Sequence, residues 1–255
     1  MLFKNILSHR IIRRFAQKCD GIIAPTVSAM EYLENIGVSK QKIVLPTGIG
    51  NNCYNVKDAG ELINGIRNSY APSGQALLCS VSRLAVEKNI DFLIRGLCAV
   101  KENTQTKFKC IIIGDGPERA SIEKLIDDLS LRNEVTLIGK VNPGDIAEYY
   151  QASDLFVFSS LSETQGMVLL EAMAGSCPVV CVKSSGTDDV VENGFNGYKT
   201  PEDTEEWSKK IIYLLENRDV LEMMSSNAFS YSKDFSLDKM AERVEMFYKK
   251  LIAAK

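Results

Sequence analysis

Residues 155–182 read LFVFSSLSETQGMVLLEAMAGSCPVVCV. An apolar run, Leu155–Ser159, leads into a polar turn that holds Gly166. A helical stretch follows, and then a second apolar run, Val179–Val182. This is a strand, a turn, a helix and another strand. Working outward, Ala76–Ser82, Lys109–Ile113 and Val135–Ile138 are further short runs. They are apolar at successive positions instead of alternating, as strands covered by helices on both sides must be. Between them, Ile90, Leu93, Ile94, Leu97 and Cys98 fall on one helical stripe, and Ile122, Leu125, Ile126 and Leu129 on another. This alternation predicts an α/β domain, a parallel sheet with helices on both faces.

The flanks read differently. Gly21–Ala24 and Ile43–Leu45 are short strands around a helix, Val27–Glu34, and these first fifty residues hold too few elements to close a core alone. Residues 57–75 are polar and carry Gly60, Gly65, Pro72 and Gly74, which predicts a surface connection. At the other end, Leu237, Met240, Val244, Phe247 and Leu251 recur at helical spacing, with Ser236 as N-cap and Asp238 in the first turn. Asn193-Gly194 and Asn196-Gly197 are expected to be turns. There is no internal repeat.

With 45% hydrophobic and 25% charged residues, the composition is that of an ordinary globular chain. A formal net charge of −3 gives no reason to expect nucleic acid as a partner, since binding a phosphate backbone needs clustered positive charge. The first 19 residues hold Lys4, Arg10, Arg13, Arg14 and Lys18 and no acid, so the rest carries −8. This basic opening is interleaved with Leu2, Phe3, Ile6, Leu7, Ile11, Ile12 and Phe15. It reads first as a helix with one apolar face normally buried, and second as a peripheral contact with an anionic membrane. Seven cysteines, an odd number without C-x-x-C spacing, and a lone His9 imply reduced thiols in a cytoplasmic chain and no zinc site.

The chemistry gathers on Ser162–Ala174. A strand-turn-helix unit presents unpaired N–H groups and the positive end of a helix dipole at the sheet's carboxyl edge, which suits a diphosphate. Glu163 sits in the turn and Glu171 inside the helix, so they reach different parts of one ligand, as acceptors for sugar hydroxyls. The competing reading leaves Glu163 as a favourable charge at a helix start and Glu171 in solvent. Gly114-Asp115-Gly116-Pro117 is glycine-rich, but it is a tight strand-to-helix turn and not the full G-x-G-x-x-G fingerprint of a dinucleotide oxidoreductase.

The two glutamates seven residues apart, within S-E-T-x-G and L-L-E-A-M-A, resemble the signature of glycosyltransferase family four. Five further segments, falling in the family's order along the chain, strengthen the likeness. Val81–Asn89 (VSRLAVEKN), Ile113–Pro117 (IGDGP) and Leu137–Val141 (LIGKV) resemble its successive strand-to-helix loops, and Cys19–Thr26 with Val44–Ile49 resemble its interdomain segments. The resemblance implies the donor half of a retaining enzyme of the GT-B type, with a Rossmann-like domain over residues 53–235. Residues 1–52 would be a remnant of the acceptor domain and 236–255 a helix packing back toward it. By position, Arg83 and Lys88 would neutralise the leaving diphosphate and Glu163 would hold the transferred sugar. Glu171 would take the ribose, the backbone of Gln165, Gly166, Met167 and Val168 would line sugar and phosphate, and Lys140 and Val141 would flank the base. Asp188-Asp189 lacks the spaced aspartates of metal-dependent relatives, so neither metal nor cofactor is expected. The donor would be a UDP-sugar, or second a GDP-sugar, and the acceptor a lipid or saccharide. Most of the acceptor domain is absent from the chain on this reading, through a truncation, a lost front or a split gene, the last making a separate N-terminal half a partner, and the chain alone would be a poor catalyst. The alternative is a catalytically incomplete nucleotide-sugar-binding module.

Overall fold

The computed structural model describes residues 6–54 and 60–254. They fall into two compact units, residues 1–48 with 235–255, and residues 49–234. In the first unit, α1 (Ile6–Ala16) precedes β1 (Gly21–Ala24), α2 (Val27–Asn35) and β2 (Gln41–Val44), and the two strands pair in parallel. Thr26 caps α2 by accepting from Ala29 N at 3.1 Å. Leu2, Phe3 and Lys4 of the basic opening lie outside the described residues. Further along that stretch, Arg10, Ile11, Arg14 and Phe15 are exposed on α1.

The second unit opens with a short 3-10 turn, Asn51–Cys53, and its first α-helix is α3 (Gly60–Tyr70). Apart from residues 57–59, which lie outside the described residues, the expected surface connection is therefore mostly helix. Two glycines lower its intrinsic propensity, but Ile63, Ile66, Arg67 and Tyr70 form its inward stripe. Arg67 then fixes its place, donating to Ala152 O at 2.7 Å and to both oxygens of Asp154.

From there β3 (Ala76–Val81), α4 (Ile90–Asn103), β4 (Phe108–Ile113), α5 (Arg119–Asp128), β5 (Val135–Gly139), α6 (Ile146–Ala152) and β6 (Leu155–Phe158) alternate. They continue through α7 (Met167–Ala174), β7 (Val179–Val182), the short α8 (Ser185–Asp188) and β8 (Gly197–Thr200). The strands form one six-stranded sheet in the order β5-β4-β3-β6-β7-β8, with every pair parallel. The five strands expected from apolar runs are all present. The sixth corrects half of the reading of Asn196-Gly197 as a turn, since Asn196 does end a turn but Gly197 belongs to the strand. Asn196 is buried, accepting from Glu192 N and donating to Val190 O, and Gly197 begins β8 along the edge of β7.

Helices α9 (Thr204–Glu216) and α10 (Arg218–Ser232) complete the second unit, where the fully buried Trp207 of α9 packs edge-on to Phe92 of α4. The chain closes with α11 (Leu237–Ala253), back in the first unit, where Arg243 donates to Val44 O at 2.9 Å. Ser236 is its N-cap as expected, accepting from Lys239 N. Among the described residues no helix is long and apolar enough to cross a membrane.

Candidate functional site

The chain leaves β3 for β4 and β5 on one side, then returns to β6 on the other side of β3. Adjacent crossovers therefore run to opposite faces at the β3/β6 boundary, and a crevice opens at the carboxyl ends of the strands there. In this protein it is a cleft of about 1100 Å³ within the second unit. Val81, Ser82 and Arg83 leave β3 into it, Gly114 and Asp115 leave β4, and Lys140 and Val141 leave β5. Glu171 of α7 and Cys53 close the remaining wall. Of the residues expected from sequence, Arg83, Lys140, Val141 and Glu171 thus line one cavity.

Glu171 is not the solvated residue of the competing reading. It is half-buried, and the hydroxyl of the fully buried Tyr150 donates to its Oε2 at 3.3 Å. Burial pushes the Glu171 pKa above the usual carboxylate value, and the Tyr150 hydrogen bond pulls the other way. Burial also pushes the neighbouring Cys53 thiol up to about 11, with the Glu171 charge adding to the effect.

Lys88 and Glu163 lie outside the cleft wall and meet each other. Lys88 Nζ is 3.4 Å from Glu163 Oε2 and 5.8 Å from the centroid of the Phe158 ring. Serines at the end of β6 fix the turn that carries Lys88, since Ser159 Oγ donates to Lys88 O at 2.8 Å and Ser160 Oγ to Glu87 O at 3.3 Å. Glu163 Oε1 accepts from Gly166 N at 3.2 Å and Thr164 N at 3.3 Å, while its carbonyl accepts from Ser185 Oγ and Gly186 N, each at 3.0 Å. Gly166 then starts α7 at φ +67°, where a Cβ would stand 2.7 Å from Gly186 O, so only glycine serves at this turn. Gln165, Gly166, Met167 and Val168 therefore form the N-terminal edge of α7, with the helix dipole's positive end beside the Lys88–Glu163 pair.

Arg83 is exposed and ion-paired with Glu87, four residues along the same loop. Backbone hydrogen bonding and then Arg83 hold the Glu87 carboxyl below its usual pKa. The arrangement presents cations from the β3 and β5 loops opposite a half-buried carboxylate, a layout that suits a ligand with an anionic centre and a hydroxyl-bearing end. Among the described residues no three His, Cys, Asp or Glu side chains are grouped to hold a metal ion. Sequence reasoning missed Cys53 and Tyr150. Neither belongs to a local motif, and only the packing of their own elements carries them to Glu171.

Known proteins share this architecture. In a crystal structure with UDP, the Anabaena protein Alr3699/HepE superposes with a TM-score of 0.84 at 24% identity, covering 96% of this chain and 68% of the other. The sucrose-phosphate synthase of Thermosynechococcus elongatus superposes with a TM-score of 0.78 at 22% identity, over 99% of this chain and 63% of the other. The parallel six-stranded sheet with its helices is thus the fold of GT-B glycosyltransferase domains. By sequence, the alpha-monoglucosyldiacylglycerol synthase of Acholeplasma laidlawii is 28% identical over 249 residues, and that of Streptococcus pneumoniae is 30% identical over 182. These matches cover 96% and 71% of this chain, which spans 62% and 41% of the two synthases. Residues 64–231, nearly the whole second unit, match the family described as glycosyl transferases group 1. The chain belongs to the glycosyl transferases group 1 family.

Proposed function

We propose that this chain carries the donor site of a retaining hexosyltransferase, which takes a hexose from a UDP-sugar, or second a GDP-sugar, to a lipid or saccharide acceptor. The observation that carries the reading is the cleft at the strand-order reversal, where half-buried Glu171 and the cations Arg83 and Lys140 share one cavity. In this reading Glu171 accepts the ribose hydroxyls, and Lys140 and Val141 flank the base. Arg83 and Lys88 neutralise the diphosphate as it leaves, which is the electrostatic part of the chemistry. Glu163 orients the transferred sugar beside the backbone of Gln165, Gly166, Met167 and Val168. Retention follows from attack on the face the diphosphate leaves, so no protein nucleophile is required.

Titration calorimetry with UDP, GDP and NAD tests the donor. UDP is expected to bind more tightly than GDP, with the same affinity in EDTA. Binding of NAD alone, or loss of UDP binding on chelation, would contradict the reading. For the acceptor, the two similar monoglucosyldiacylglycerol synthases, together with Gln165 in the turn, favour a lipid. A complete homologous enzyme carrying this donor domain should glycosylate diacylglycerol. Transfer to oligosaccharides alone would leave only the saccharide branch.

A further inference from the structure

We infer that Tyr150 is a positioning residue for nucleotide recognition, its buried hydroxyl holding the Glu171 carboxylate in the orientation that accepts the ribose hydroxyls. The inference rests on the donor role proposed for Glu171. Tyr150 sits on α6 at 0% exposure, its ring edge-on to Phe156 with centroids 5.8 Å apart. A buried phenol needs an acceptor, and the one it has is Glu171 Oε2 at 3.3 Å. A carboxylate offers about four lone-pair sites, so accepting from below leaves capacity toward the cleft.

The surroundings explain why such a donor matters. Cys53, in the Asn51–Cys53 turn, shares the cleft wall with Glu171, and Tyr150 meets the carboxylate from α6. Arg83, Asp115 and Lys140 line the cleft in front. Among these described groups, it is the tyrosine that stabilises the charged form, through its hydrogen bond. The thiol of Cys53 is held protonated by burial and Glu171, and burial first and Glu171 second also keep the Tyr150 phenol protonated. The phenol is therefore a donor throughout the neutral range, and hydrogen bonding to the charged form favours that form against desolvation. The protonated carboxylic acid would be a poor partner for two ribose hydroxyls.

The test uses the full chain and the isosteric Tyr150→Phe variant, with thermal melting as the check on folding. The first readout is a carbon-13 titration of the Glu171 carboxyl without ligand, assigned with Glu171→Gln. Tyr150→Phe should raise its midpoint. Replacing Tyr150 with 3-fluorotyrosine, a stronger donor, should lower it. The second readout is UDP affinity by calorimetry. Tyr150→Phe should weaken it about three- to tenfold at pH 7.5, and the loss of affinity on acidification should begin at a higher pH than in the wild type. In the Glu171→Gln background the same change should cost less than about twofold, because the tyrosine acts through the carboxylate. An unmoved titration, or an equal loss in the Glu171→Gln background, overturns the positioning role while UDP binding still stands. A shifted titration in a chain that binds no UDP overturns the donor reading itself, and the recognition role with it.

Discussion

Glu171→Gln is expected to weaken UDP binding ten- to a hundredfold. A charged acceptor for two ribose hydroxyls becomes a neutral amide, and hydrogen bonds to charged groups contribute roughly 1.5–3 kcal/mol. Glu163→Gln should behave differently. Free UDP lacks the sugar, so its affinity should barely change, while the preference for intact UDP-hexose over UDP should erode. Stability separates the first effect from misfolding. The folded pKa of Glu171 is raised, so the unfolded chain releases this proton at a lower pH than the folded one. Ionising Glu171 therefore costs stability as pH rises past the ordinary carboxylate value, and that cost is complete once the pH exceeds the folded pKa. Glu171→Gln removes it, so the variant should melt no lower than the wild type at pH 7.5 while binding UDP less well. Calorimetry and thermal melting on the two variants decide the matter. Identical behaviour of both with UDP and UDP-hexose would refute the placement of the carboxylates on different parts of the donor.

The sequence made the sheet interior legible because Ala76–Val81, Phe108–Ile113 and Val179–Val182 are apolar on both faces, which only a doubly covered strand tolerates. It concealed β8 (Gly197–Thr200), which follows the Asn-Gly turn signals with no apolar run of its own, because an edge strand buries only part of its length. It concealed α3 for a tertiary reason, the anchoring of Arg67 on Asp154, a residue 87 positions away. The cleft was half legible. Arg83, Lys140 and Val141 sit in strand-to-helix loops, and Glu171 in the helix after one, and their local patterns stand out. Cys53 reaches the same cavity, and Tyr150 the buried side of Glu171, only through packing, and the mutual pairing of Lys88 and Glu163 is likewise a long-range fact.

Gly114→Ala is the second substitution with a large expected effect. Gly114 leaves β4 at φ +135°, and a Cβ there would lie 1.9 Å from the carbonyl oxygen of Ser82. The clash is backbone against Cβ, so no side-chain rotation relieves it, and the dihedral itself disfavours an L residue. Relief requires β3 and β4 to separate at the point where Ser82 and Arg83 enter the cleft. We expect a loss of roughly 3–5 kcal/mol, which for a domain of this size lowers the melting temperature by about 10 °C. UDP binding should fall with it. Gly144→Ala is the control, since nothing lies within 4 Å of its Cβ position. Equal melting temperatures for the two variants would show that the Gly114 turn is not a tight constraint.

The sheet order also bears on how the molecule comes together. Each strand pair is parallel, so none closes through a hairpin, and most join residues 18–32 positions apart in the chain. The exception is β3 with β6, where Leu78 pairs with Leu155 across 77 positions. Closing that loop costs about 0.8 kcal/mol more entropy than closing one of 32 residues, and long-range parallel pairing is slow to nucleate. The proposed donor site straddles this seam, with Arg83 and Lys88 following β3, and Glu163 and Glu171 following β6. Binding competence during refolding should therefore arrive only when the seam closes, as one of the last events. A nucleotide that bridges it would act as a clasp between the two halves of the sheet, stabilising the fold by about 2.7 kcal/mol at a hundred times its dissociation constant.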